Sequence, residues 1–140
     1  MILYLDTSSL VKLYVEEIHA VTVRGWVEEA ELIATCRVAL PEAISAFHRR
    51  FRNGDFSKPD YENLIAGFTE DWRKYVVLDF DELEAGLLVG KYGLRVFDAV
   101  HLSSAKMMRQ DGDLDIFFSS FDEKLNKAAS AEGFEMLVPE

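Results

Sequence analysis

Four carboxylates hold addresses from which they could act together. Asp6 closes the apolar run Ile2–Leu5, Glu42 lies in the first turn of an amphipathic stretch, Asp98 opens a strongly apolar one, and Asp122 follows the run Ile116–Ser119. Residues so far apart in a chain can converge where strands end and helices begin, at one edge of an α/β sheet. If they converge, they must hold either protons or cations. Two like charges about 4 Å apart repel by roughly 4 kcal/mol at an effective dielectric near 20. An all-oxygen donor set points to a hard ion, Mg²⁺ or Mn²⁺.

Each acid also has a plainer reading. Acids at helix N-termini are favoured by capping and by the helix dipole, worth about 0.3 to 1 kcal/mol, and that alone would account for Glu42 and Asp122. Asp6 is harder to dismiss, because it directly follows a run expected to be a buried strand and stands beside Thr7, Ser8 and Ser9. For Asp98, between Phe97 and Ala99, capping stays open. His101 lies three residues after Asp98 and so shares its helix face. It could relay protons or touch a phosphate; on so apolar a helix, a hydrogen-bonded core histidine is the expectation.

The elements that must position these residues follow from periodicity. Ile2–Leu5 is a continuous run of strand formers, the pattern of a strand buried on both faces of a parallel sheet, and Thr7, Ser8 and Ser9 are good N-caps for a helix carrying Leu10, Val11, Leu13, Tyr14 and Val15. Helical spacing recurs over Ala20–Ala30, over Val38–Arg52 with Pro41 near its start and Gly54 at its end, and over Ser57–Tyr75 with a Ser cap and Pro59. Asp81 caps a helix holding Leu83, Leu87 and Leu88 that closes near Gly93. Val96–Gln110 is apolar almost all round and is expected to be central and buried, and Asp122–Glu132 is a helix ended by Gly133. Strands are expected at Leu32–Ala34, Val76–Phe80, Ile116–Ser119 and Phe134–Val138, with Asp111–Asp115 a polar turn. Strand and helix alternate with no linker or repeat, so the expected fold is a three-layer α/β/α domain with a mostly parallel central sheet, a single domain over residues 1–140. The pair Val38–Arg52 and Ser57–Tyr75 departs from simple alternation and could form a hairpin with an apolar outer face for a partner.

Composition narrows the class. A chain of 140 residues can bury roughly two-thirds of its unfolded surface unaided. Cys36 is the single cysteine, so no intrachain disulfide is possible, and in this apolar context it reads as core filler. No apolar run approaches the eighteen or so residues of a membrane span, and a cytoplasmic protein is expected. The net charge of −10 argues against a protein that lives on nucleic acid. Bound cations would offset part of that field, and His48, Arg49, Arg50 and Arg52 with Lys58 form a basic cluster that is either a solvated helix end or a local binding face.

Several acid-based motifs fail here. A haloacid-dehalogenase phosphatase needs Asp-x-Asp after the first strand, but the second position is Ser8; a metal-dependent adhesion site needs Asp-x-Ser-x-Ser, whose second serine is replaced by Leu10; a receiver domain needs an acidic pair where Asp6 is single. There is no Gly-rich phosphate loop.

The segments LDTSSLVKLY around Asp6, ALPEAISAF around Glu42, VFDAVHLSSA around Asp98 and FFSSFDEKL around Asp122 together resemble the PIN-domain ribonucleases, in particular the VapC-type toxins of bacterial and archaeal toxin–antitoxin modules. The resemblance covers nearly the whole chain. It implies an acidic site of Asp6, Glu42, Asp98 and Asp122 that binds one or two Mg²⁺ or Mn²⁺ and cuts RNA phosphodiesters, with Ser8 and Ser120 at supporting hydroxyl positions. Such a metal would lower the pKa of a bound water for attack on phosphorus. The resemblance further implies a homodimer and a small antitoxin protein that holds the nuclease inactive. The alternative is a non-toxin or catalytically silent PIN domain that binds RNA or protein as a regulator.

Overall fold

The opening apolar run is strand β1 (Ile2–Leu5), and it is buried on both faces because it is the middle of the sheet. In the computed structural model, which describes residues 1–110, 112 and 114–140, there follow α1 (Thr7–Val11), α2 (Ala20–Glu29), β2 (Leu32–Cys36), α3 (Ala39–Arg52) and α4 (Lys58–Trp72). Then come β3 (Val76–Leu78), α5 (Glu82–Tyr92), α6 (Val96–Gln110), β4 (Ile116–Ser119), α7 (Glu123–Ala131) and β5 (Glu135–Met136). The five strands are all parallel, in the order β3-β2-β1-β4-β5. Leu3 pairs with Ile33 on one side and Phe117 on the other, and Leu5 pairs with Ser119.

Period-two alternation along β1 divides the core. Tyr4 points to one face, where it meets Ala34, Cys36, Leu102 and Phe118 under α5, α6 and α7. Leu3 and Leu5 point to the other, where they join Leu10, Val23, Phe47 and Phe68 from α1 to α4. Each fully buried Leu or Phe is worth about 1.5–3 kcal/mol of removed apolar surface, which is how two shallow cores hold one sheet without a cross-link. Cys36 is a buried free thiol, as core filler should be.

The strand order reverses between β1 and β4, the two strands that share a long parallel ladder. Chains leaving their carboxyl ends depart to opposite faces of the sheet, and this opens a crevice at the switch point. Asp6 follows β1 directly, and Ser120 and Asp122 follow β4. The fold therefore places Asp6 and Asp122 at one crevice.

Several local expectations are revised. The N-cap of α1 is Asp6 itself, whose side chain accepts from Ser9 N–H, rather than a hydroxyl residue. Helix α1 stops at Val11, short of the apolar periodicity. Strand β2 is longer than expected, through Cys36, whereas β3 and β5 are shorter, because each edge strand has a partner on one side only. In α6 the apolar surround fails in the first turn: Val96 and Phe97 are 65% and 52% exposed. On α5, Leu88 is buried while Leu83 and Leu87 face outward. Helices α3 and α4 do form a hairpin, but its large apolar side chains turn inward, and among the described residues none of its large hydrophobics is exposed. The expected turn at Asp111–Asp115 lies partly outside the described residues. No helix among them is long and apolar enough to cross a membrane.

On the α5–α7 face a buried-edge ion network ties the C-terminal helix down. Lys106 Nζ donates to Glu132 Oε1 at 2.6 Å and also reaches Glu84, while Lys91 Nζ donates to Glu132 Oε2 at 2.9 Å. The Lys106 hydrogen bond, helped by Tyr92 and Lys91, holds the Glu132 carboxyl down at about 2, against an ordinary value of 4.5. A depressed folded-state pKa stabilises the fold fully above the ordinary carboxylate range and loses that contribution as pH falls toward 2. Glu132→Gln is expected to cost about 2 kcal/mol at neutral pH. Thermal melts of the two proteins should converge on acidification below about pH 4; a gap that stays constant to pH 2 would assign the loss to packing instead.

Candidate active site

The crevice is a cavity of about 830 Å³, and Asp6, Glu42, Asp98 and Asp122 all line it. Each is delivered by a different element: Asp6 by the end of β1, Glu42 by the first turn of α3, Asp98 by the first turn of α6, and Asp122 as the N-cap of α7. The four junction acids expected to converge are thus brought to one place. They are not pre-gathered into a cage, since among the described residues no three His, Cys, Asp or Glu side chains stand close enough to hold one ion between them.

Each carboxylate has at least one oxygen anchored by the protein. Asp6 Oδ1 accepts from Ser8 Oγ at 2.7 Å and from Ser9 N–H at 3.0 Å. Glu42 Oε1 accepts from Thr7 Oγ1 at 2.6 Å and contacts His101 Nε2 at 3.0 Å. Asp122 Oδ1 accepts from Leu125 N–H at 2.8 Å. Asp98 is held by Arg95, whose Nε donates to Asp98 Oδ2 at 3.0 Å while its Nη2 donates to Asp122 Oδ2 at 3.2 Å. Asp6 Oδ2 and Glu42 Oε2 have no protein hydrogen-bond donor among the described residues.

Asp6 is the most buried of the four. It is 3% exposed and has no ion pair among the described residues, and a buried carboxylate without a cation is strongly disfavoured. Its charge is felt by Asp98, whose carboxyl is raised above the ordinary range first by burial and further by Asp122 and Asp6, although Arg95 pulls the other way. Glu42 goes in the opposite direction: burial pushes it up, but hydrogen bonds from His101 and Thr7 outweigh that and leave it lowered. An all-oxygen set of four acids, one of them buried and unpaired, fits a hard divalent cation.

The supporting hydroxyls fix the walls. Besides its bond to Asp6, Ser8 Oγ accepts from Phe121 N–H at 2.9 Å, which ties the end of β1 to the segment after β4. Ser120 Oγ accepts from Asp122 N–H at 3.0 Å and so sets the turn that aims Asp122; Ser120 itself lines a separate, smaller cavity.

The structure adds three features to the site. His101 is a buried core histidine, as expected, yet it also lines the cavity and contacts Glu42. Thr7, read as a cap, instead donates to Glu42. Arg95 was not singled out at all, although its i,i+3 spacing to Asp98 was a usable signal. The basic cluster splits: Arg49 and Arg50 line the cavity, whereas His48 pairs with Tyr61 and Lys58 lies near Glu62. Five acids and four cations line the cavity, a far more even balance than the −10 of the whole chain.

Comparison with known proteins places the chain in a family. The PIN domain family model matches residues 3–131. Ribonuclease VapC45 of Mycobacterium tuberculosis is 27% identical over 135 residues, covering 94% of this chain and 92% of its own. Among solved structures, PAE2754 of Pyrobaculum aerophilum superposes with a TM-score of 0.70 at 18% identity, over 96% of this chain and 87% of that one. VapC20 of M. tuberculosis, described as a sarcin-ricin loop cleaving toxin, superposes at 0.63 with 18% identity, over 98% and 99%. A parallel sheet in this order, a crevice at its switch point lined by four acids, and a family match over residues 3–131 lead to one conclusion: the chain belongs to the PIN domain family.

Proposed function

We propose that this protein is a metal-dependent endoribonuclease that hydrolyses RNA phosphodiester bonds as the toxin of a toxin–antitoxin module. The observation that carries the reading is Asp6: a carboxylate 3% exposed, without a cationic partner among the described residues, facing a cavity with Glu42, Asp98 and Asp122. The similarity to ribonuclease VapC45 and the fold shared with VapC20 support the ribonuclease class.

Asp6, Asp98, Glu42 and Asp122 would hold Mg²⁺ or Mn²⁺, with Ser8 and Ser120 fixing the backbone that aims the first and last of them. A divalent cation there supplies Lewis acidity for phosphodiester hydrolysis. In place of a direct contact to the ion, Glu42, kept ionised by His101 and Thr7, orients the attacking water. Lys12, Arg49 and Arg50, which also line the cavity, attract the polyanionic backbone. In this reading the functional unit is a single domain over residues 1–140. It works in the cytoplasm as a homodimer and is restrained by a small antitoxin protein.

Purified protein freed of any partner is expected to cut RNA internally with Mn²⁺ or Mg²⁺ and to lose at least about 10²-fold of that rate in EDTA, recovering on metal addition. Undiminished cleavage in EDTA would exclude the metal. Absence of both cleavage and Mn²⁺ binding would favour a silent regulatory PIN domain.

A further inference from the structure

Arg95 makes an unusual pair of contacts for an exposed side chain. It is 78% exposed, yet its guanidinium spans two acids, reaching Asp98 Oδ2 through Nε and Asp122 Oδ2 through Nη2. Glu42 also favours its charge. Within the cavity, Arg95 therefore stands where positive charge is demanded.

Those contacts work against a bound divalent ion, because the guanidinium and the cation draw on the same carboxylates. Asp122 Oδ1 is committed to Leu125 N–H as the cap of α7, so Oδ2 is the oxygen Asp122 has to offer, and Arg95 holds it. Arg95 and the ion thus compete for Asp122, and for one oxygen of Asp98. Competition favours the ion, because an exposed arginine gives up side-chain entropy to stay in one geometry and its pairing is screened by water.

Once displaced, Arg95 remains tethered at the cavity wall, immediately before Val96 and Phe97. Its alternatives are limited. Lys12 is bound to Glu17 at 2.8 Å, Arg50 is shared between Glu17 and Asp55, and Arg49 lines the cavity from α3 without an ion pair to Asp98 or Asp122 among the described residues. Among the described residues, Arg95 is the lining cation that pairs with the four site acids, touching Asp98 and Asp122, and its planar, many-donor head matches a phosphate better than a lysine would.

We propose that Arg95 is a two-position residue: it neutralises Asp98 and Asp122 in the metal-free protein and, displaced by the divalent cation, grips the phosphodiester of the RNA beside them. This rests on the reading that the four acids hold the ion. It makes Arg95 a substrate-binding residue with a built-in resting place.

The test is Mn²⁺ binding, by calorimetry or by electron paramagnetic resonance, together with steady-state RNA cleavage, on wild type, Arg95→Met, Arg95→Lys and Asp98→Asn. Arg95→Met is expected to bind Mn²⁺ about fivefold tighter, since its competitor is gone, and to show a KM for RNA raised by about tenfold. Arg95→Lys keeps the charge but cannot span both acids; it should bind Mn²⁺ more tightly than wild type and recover part of the KM. Unchanged or weaker Mn²⁺ affinity in Arg95→Met, while Asp98→Asn binds the ion poorly, overturns the proposal and leaves the site reading standing. Tighter Mn²⁺ binding with an unchanged KM overturns it as well, leaving Arg95 a counter-ion only. If Asp98→Asn binds Mn²⁺ like wild type, the site reading itself falls and takes this inference with it.

Discussion

Asp98→Asn is expected to lower RNA cleavage on the order of 10³-fold and to leave the protein folded, with a metal-free melting temperature equal to or above that of wild type. The two halves have one cause. Asp98 starts α6 with its side chain 15% exposed, and burial, Asp122 and Asp6 all raise its carboxyl; only Arg95 offsets them. Asparagine keeps the shape, removes a charge that the apo site repels, and gives up one exposed-arginine pairing worth about 0.2–1 kcal/mol. The repulsion that metal would relieve is thus relieved by mutation, at the expense of function. Cleavage assays with Mn²⁺ and thermal denaturation in EDTA check both halves. Wild-type cleavage by the variant would remove Asp98 from the site, and a sharply lower melting temperature would make the carboxylate structural.

The features legible in the sequence were those fixed by short-range pattern. Ile2–Leu5 announced a two-sided strand because no polar residue interrupts it, and the structure makes it the central strand. Asp6, Glu42, Asp98 and Asp122 were found by address, since strand ends and helix starts in an α/β chain share one edge of the sheet. Edge strands were less legible. The length of β3 or β5 depends on how far its single neighbour offers backbone partners, which neither Val76–Phe80 nor Phe134–Val138 encodes by itself.

Side-chain partnerships across the crevice were the hardest to read. Arg95 reaches Asp122 over 27 positions, a pairing that exists only once β4 lies beside β1. The basic run from His48 to Arg52 is ambiguous in one dimension, because i,i+4 residues such as His48 and Arg52 share a face while the intervening Arg49 and Arg50 turn toward the cavity. For His101 the sequence offers a core reading and a functional one as alternatives, whereas the residue is 2% exposed and touches Glu42 at the same time. A helix buried against the sheet but beginning at the crevice can serve both purposes within one turn.

His101→Leu is expected to cost about 3 kcal/mol of stability and to lower cleavage by about tenfold or more. The directions of the hydrogen bonds explain the size. Thr7 has one hydroxyl proton and donates it to Glu42 Oε1, so it can only accept from His101 Nε2; Nε2 therefore carries a proton shared between Thr7 and Glu42. On the other side, Nδ1 lies 2.8 Å from the Tyr4 hydroxyl and accepts from it when the imidazole is neutral. Leucine fills the volume but leaves Tyr4, which is 0% exposed, with a buried donor lacking its acceptor, and leaves Glu42 half-supported. Tyr4→Phe alone removes one hydrogen bond and should cost about 1 kcal/mol. Combined with His101→Leu it should cost less than the two single losses together, since the second change removes the hydroxyl that the first one stranded. A double-mutant cycle of denaturant unfolding measures that coupling. Strict additivity would mean that Tyr4 and His101 act independently, and that the chain of contacts from Tyr4 through His101 to Glu42 does not hold the acid in place.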